Sequence, residues 1–137
     1  MARLRLDQTT LHFSTLLERL SGARVKDCFQ SDQMIYFVVG LADMGRAIGK
    51  KAIHIKKLEK DLNKKVRVIA YSEDIKVFIS NLISPVKVAK IEETDSLIIL
   101  KDTQRKTKSL LIGRDGKQLQ LINRAVQRFF QKQVTVE

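Results

Sequence analysis

Ile48-Gly49-Lys50-Lys51-Ala52 and Ile112-Gly113-Arg114-Asp115-Gly116 are two versions of one segment, with Gly113 following Gly49 after 64 residues in a chain of 137. The same offset persists beyond them. Ile55, Leu58 and Leu62 align with Leu119, Ile122 and Val126, and Lys56, Lys60 and Lys64 align with Gln120, Arg124 and Arg128. Each segment lies between two stretches with helical spacing of apolar residues. A glycine-hinged basic loop that opens into a helix presents amide hydrogens and positive charge together, a combination suited to a phosphate backbone.

The segments upstream of each loop repeat as well. Phe13, Leu16, Leu17 and Leu20 recur at i, i+3, i+4 and i+7, which predicts a helix capped by Asp7 and stopped at Gly22. Residues 24–30 and 33–39 read as strands joined by the turn Ser31-Asp32. The second, Met34-Ile35-Tyr36-Phe37-Val38-Val39, is apolar on both faces and is expected to be central. A short helix over 42–48, the loop, a helix to about Asn63 and a strand over 66–71 complete the unit. In the second copy Ser72 is expected to cap a helix with Glu73 and Asp74 in its first turn. Ile75, Phe78, Ile79 and Leu82 carry the stripe, and Pro85 ends it. Residues 86–92 and 96–101 predict a hairpin around Thr94-Asp95. A short helix with Leu110 and Leu111, the second loop, a helix to about Gln131 and a strand over 134–136 follow.

Both copies therefore read α-β-β-α-loop-α-β. The expected fold class is α+β, in two domains over 1–72 and 73–137, each a three-stranded sheet packed on helices. Tyr71 ends one strand and Ser72 starts the next helix, so there is almost no linker.

Charge narrows the class of partner. Lysine and arginine number 26 against 15 acids, a net charge of +11, which suggests a polyanion. Cys28 is the only cysteine, so an intrachain disulfide or a cysteine-cluster zinc site is ruled out, and a small buried apolar role is expected for it. No apolar run approaches the roughly 18 residues of a membrane span, and Met1–Asp7 lacks a secretory apolar stretch. A cytoplasmic protein with no membrane partner is expected.

Catalytic constellations are missing. His12 and His54 are the only histidines, each in a different helix, with no metal-ligand spacing and no nucleophile–base set. Gly40-Leu41-Ala42-Asp43-Met44-Gly45-Arg46-Ala47 mimics P-loop glycine spacing but lacks its lysine and its Ser/Thr. Neither an enzyme, a cofactor nor a metal is expected. Tyr36, Phe37, Phe78 and Phe129 suit a core better than a base-stacking platform.

In the loops, Lys50 and Lys51 supply charge to the first, while Ala52 stands where the second has Gly116. The alanine is tolerable there if it is already helical. Asp115 is unwelcome beside a phosphate and is expected to cap the following helix. His54 is expected to be exposed on its helix, with RNA contact as the alternative. Ile53, Ile55, Ile112 and Leu119 are candidates for an apolar groove floor, with core packing as the other reading for Ile55 and Leu119.

The αββααβ order with an I-G-x-x-G loop between helices resembles the KH domain in its prokaryotic, type II form. The match is carried by residues 47–56, from Ala47 to Lys56, and by 111–117, from Leu111 to Lys117. Two such units joined almost directly resemble the NusA family of transcription factors in its short archaeal form, without the polymerase-binding and S1 domains of the bacterial form. The resemblance implies a monomer that binds single-stranded RNA of the nascent transcript and influences termination or elongation, with RNA polymerase as a further candidate partner. Carried onto this sequence, the RNA-binding set is Arg46, Ile48, Gly49, Lys50, Lys51, Ala52, Ile53 and Lys56 in the first copy. In the second it is Ile112, Gly113, Arg114, Asp115, Gly116, Lys117, Gln120 and Arg124. Two alternatives stay open: a protein-binding scaffold with degenerate loops, and a general binder of single-stranded RNA or DNA outside transcription.

Overall fold

The computed structural model describes residues 8–137. The chain divides into two compact units, Met1–Ser72 and Glu73–Glu137. The expected Asp7 cap lies outside the described residues.

In the first unit, α1 (Gln8–Ser21) buries Phe13 and Leu17 and half-buries Leu16 and Leu20. Gly22 stops it at φ 74°, its N–H donating to the Glu18 carbonyl at 2.8 Å. Strands β1 (Val25–Gln30) and β2 (Met34–Val39) pair antiparallel, and β3 (Lys65–Ala70) joins β2 in parallel. The sheet order is β1-β2-β3, so the strand that is apolar on both faces is the central one. Ile35, Phe37 and Val39 pack with Phe13, Leu17, Cys28 and Leu58 in the core. A parallel neighbour needs a crossover. Here it runs through a single turn at Leu41–Asp43, α2 (Met44–Ile48), the first glycine loop and α3 (Ile53–Leu62). The crossover is clamped at its end, where the Glu59 carboxylate accepts the Val66 N–H at 2.9 Å.

The second unit repeats the plan with α4 (Ile75–Ile83), β4 (Lys90–Glu93), β5 (Leu97–Lys101), α5 (Arg105–Ile112), α6 (Lys117–Phe129) and β6 (Gln133–Val136). β5 is central, antiparallel to β4 and parallel to β6. Ile75, Phe78, Ile79 and Leu82 are all buried, and Phe78 meets Phe129 edge-on with ring centroids 5.7 Å apart. Asn123 stands where Glu59 does in the first copy. Its side chain accepts the Val134 N–H at 2.7 Å and donates to the Val134 carbonyl at 3.0 Å.

Three local expectations are corrected. Asp74, not Ser72, caps α4: its carboxylate accepts the Lys76 N–H at 3.0 Å, so Glu73 and Asp74 precede the helix. β4 begins at Lys90 rather than 86, because Val86 turns back to the Ile83 carbonyl and the Ala89 N–H is taken by Asp102 Oδ2 at 2.9 Å. Lys64 leaves the lysine stripe: it lies past the end of α3 and its Nζ donates to Gln30 Oε1 at 2.7 Å.

Candidate nucleic-acid interface

The two loops have the same backbone. Gly49 and Gly113 hold φ/ψ of 79°/166° and 76°/176°, a region that is essentially glycine's alone. Lys51 and Asp115 both take φ 57°, and Ala52 and Gly116 follow at φ 59° and 73°. Each loop thus spends two successive residues in the left-handed region before its helix begins. The condition under which alanine is tolerable at Ala52, that it be already helical, is not met: it is the left-handed N-cap of α3. Asp115 is no N-cap either. Gly116 occupies that position, and no side chain caps α6.

This path disposes of the loop amides in one way twice. Gly49 N–H donates to the Gly45 carbonyl and Ala52 N–H to the Gly49 carbonyl, at 2.9 and 3.1 Å. Ile53 N–H goes to the Lys50 carbonyl. In the second loop the same bonds join Gly113 to Ser109, Gly116 to Gly113 and Lys117 to Arg114, leaving the middle N–H groups of Lys50 and Lys51, and of Arg114 and Asp115, outside these turns. Consecutive amides in such a bend make an anion-binding concavity, and the positive end of α3 or α6 adds to it.

What lies under each hinge differs. A Cβ on Gly49 would fall 2.7 Å from His54 Nδ1, and one on Gly113 would fall 2.6 Å from Gln118 Cβ and 2.9 Å from its backbone nitrogen. His54 is therefore not simply exposed. Its Nδ1 lies 2.9 Å from the Arg46 carbonyl oxygen, which can only accept, so Nδ1 carries the hydrogen. His54 and Gln118 are structural partners of the loops that the motif alone does not single out. Their common place, five residues after the first glycine, was the available signal.

The expected site residues sort as follows. Lys50, Lys51, Lys56, Arg114, Asp115, Lys117 and Gln120 are exposed around the loops. Ile53 and Ile112 are exposed apolar residues at 58% and 37%, whereas Ile48, Ile55 and Leu119 are half-buried. Arg46 is tethered, its Nη1 3.4 Å from the Gly22 carbonyl and 3.8 Å from Asp43 Oδ1. Arg124 is half-buried and engaged within the protein. Tyr36, Phe37 and Phe78 are buried, so they offer no stacking surface. Among the described residues no three His, Cys, Asp or Glu side chains gather as metal ligands, and no helix is long and apolar enough to cross a membrane.

A glycine loop set in the helical crossover between two parallel strands, with a third strand antiparallel and a helix before it, defines each unit as a type II KH module. The KH domain profile matches residues 14–93. A "Probable transcription termination protein NusA" from Halococcus morrhuae is 28% identical over 93% of this chain and 94% of its own length. One of the same name from Methanococcus vannielii is 32% identical over 90% of this chain and 72% of its own. The solved "Crystal structure of APE1850" superposes with a TM-score of 0.70 at 23% identity, over 96% of this chain and 100% of that one, a likeness of fold. The chain belongs to the KH domain family, as a short archaeal-type NusA homologue. The relatives are named as transcription termination proteins, and by that kinship the chain is not an enzyme.

Proposed function

We propose that the chain binds single-stranded RNA, the nascent transcript, through both glycine loops and acts in the termination or elongation control of transcription. The observation that carries this reading is the duplicated backbone of the loops, with its glycine hinges and paired left-handed residues. Each loop offers two consecutive amides beside a helix N-terminus, and exposed cations surround both. The names of the relatives supply the transcriptional context; RNA polymerase as a further partner and a cytoplasmic location belong to the proposal itself. Exposed Ile53 and Ile112 supply apolar surface where an unstacked base can rest.

The test is fluorescence anisotropy with a labelled single-stranded RNA, titrated at several salt concentrations. Wild type should lose affinity linearly on a log–log plot as counterions are released. Lys50→Asp with Lys51→Asp, combined with Arg114→Asp, should abolish binding without lowering the melting temperature, because these side chains are exposed. Normal binding by that variant, or affinity indifferent to salt, overturns the reading and favours a scaffold whose partner is a protein. Competition with the matched single-stranded DNA separates an RNA binder from a general one.

A further inference from the structure

The cations of the second unit are segregated. On its sheet they are neutralised: Lys90 and Lys101 each lie 3.0 Å from the Glu92 carboxylate, and Lys132 2.6 Å from that of Glu93. Across α5, the loop and α6 the pattern reverses. Between Arg105 and Phe129, Asp115 is the only acid. Among the described residues the side chains of Arg105, Lys106, Lys108, Arg114 and Lys117 enter no ion pair. The first unit does not share this feature. Its corresponding stretch, residues 41–62, carries Asp43, Glu59 and Asp61, and there Arg46 pairs with Asp43 and Lys57 with Asp61.

The placement of Arg105, Lys106 and Lys108 also opposes local stability. They occupy the first turn of α5, where the helix dipole disfavours positive charge; that turn holds no acid, and the carboxylate just before it, Asp102, accepts the Ala89 and Gln104 N–H groups and enters no ion pair with these cations. Residues that break a local rule with no compensating partner in the protein mark a surface kept for a ligand. The ligand here has to be anionic and continuous with whatever the loop holds, since α5 runs from Arg105 straight into Gly113. Its eight residues span about 12 Å.

Resting on the RNA-binding reading above, we propose that the Arg105/Lys106/Lys108 face of α5 holds phosphates of the same RNA strand, outside the segment gripped at Gly113–Gly116. The second unit then takes a longer stretch of strand than the roughly four nucleotides a glycine loop and groove accommodate. The alternative partner for such a surface, an acidic protein, becomes one outcome of the test.

The experiment compares the full chain with the triple variant Arg105→Gln/Lys106→Gln/Lys108→Gln. A second set of three substitutions, Lys76→Gln/Lys87→Gln/Lys90→Gln, is the control for the same loss of net charge elsewhere on the unit. The probes are a 14-nucleotide oligouridylate, read by anisotropy between 50 and 200 mM salt, and a tetrauridylate, read by NMR shift perturbation. The triple variant should melt no lower than wild type and shift equally with the tetranucleotide. Its log–log salt slope for the 14-mer should be shallower by about 2, so that wild type loses roughly 15- to 20-fold more affinity across that salt range. The control should match wild type. The proposal is overturned if the triple variant keeps the wild-type slope and affinity, as it would were the partner an acidic protein, or if the control loses as much. Those results leave the loop reading intact, provided the Lys50/Lys51/Arg114 variant still fails to bind. If that loop variant binds both RNAs normally, the RNA-binding reading and this extension fall together.

Discussion

The imidazole of His54 joins the two helices of its crossover, its Nδ1 reaching the Arg46 carbonyl oxygen at 2.9 Å across the turn that begins at Gly49. The carbonyl belongs to the last turn of α2, whose acceptors have no intrahelical partner. Because the ring also lies against the Gly49 α-carbon, it fixes the hinge from below. His54→Ala should cost about 1 kcal/mol for the lost bond and loosen the loop. Hydrogen exchange at Gly49 and Ala52 should accelerate, while the second loop stays unchanged. His54→Gln should be milder, since Gln118 holds the same position in the other copy.

Ala52 and Gly116 occupy one conformation with different costs. A left-handed alanine is disfavoured by roughly 1–2 kcal/mol, and glycine gives back about 0.5–1 kcal/mol in chain entropy. Ala52→Gly should therefore change thermal stability little while letting the first loop approach a phosphate more closely. A two- to fivefold gain in RNA affinity, the equivalent of about 0.5–1 kcal/mol, is expected from titration. Gly116→Ala should by the same balance lose no more than about 1 kcal/mol, the strain being partly offset by chain entropy, because nothing lies within 4 Å of the added methyl.

The first glycines of the loops are far less tolerant. At Gly113 an added methyl meets the backbone of Gln118 as well as its Cβ, and at Gly49 it meets side-chain atoms of His54 and Ile53. A ring can shift where a helix backbone cannot. Both substitutions also incur roughly 1–3 kcal/mol of backbone strain. Thermal denaturation should rank Gly113→Ala as the more damaging, with Gly49→Ala second and Gly116→Ala last.

Glu92 supplies a pH signature for the second sheet. Hydrogen bonds from Lys101 and Lys90 hold its carboxyl below the usual glutamate value, and the Lys101 ammonium is raised in return. A carboxylate whose pKa is depressed on folding contributes stability above its unfolded pKa and loses it as pH falls through the folded value. NMR titration should find Glu92 ionising below the ordinary range, and Lys101→Gln should move it back up. The carboxylate is reached by solvent, its side chain 32% exposed, so raising the ionic strength should shrink the effect.

Much of the architecture was legible because it rests on period and repetition. The stripe from Phe13 to Leu20 and its counterpart from Ile75 to Leu82 are helical, with Phe13, Leu17 and all four of the latter buried. The doubly apolar run at Met34–Val39 is the central strand. The loops stood out as recurrences of glycine in register. What escaped depends on backbone dihedrals and on contacts distant in sequence. Alanine is a good helix former, so nothing in its identity announces that Ala52 is left-handed. Asp115 invites a capping role by residue type, yet the turn places Gly116 at the cap. The Ala89–Asp102 bond that delays β4 joins residues 13 apart, beyond any local pattern.

The parallel ladder between β2 and β3 has a mechanical corollary. Each loop is tethered through its helices to the C-terminal end of one strand and the N-terminal end of its neighbour, and in parallel register those are opposite ends of the ladder. A tug on a captured polymer is then resisted in shear, with the rungs sharing the load, instead of being unzipped one at a time. Such an anchorage suits a grip on a filament that is being reeled out under tension.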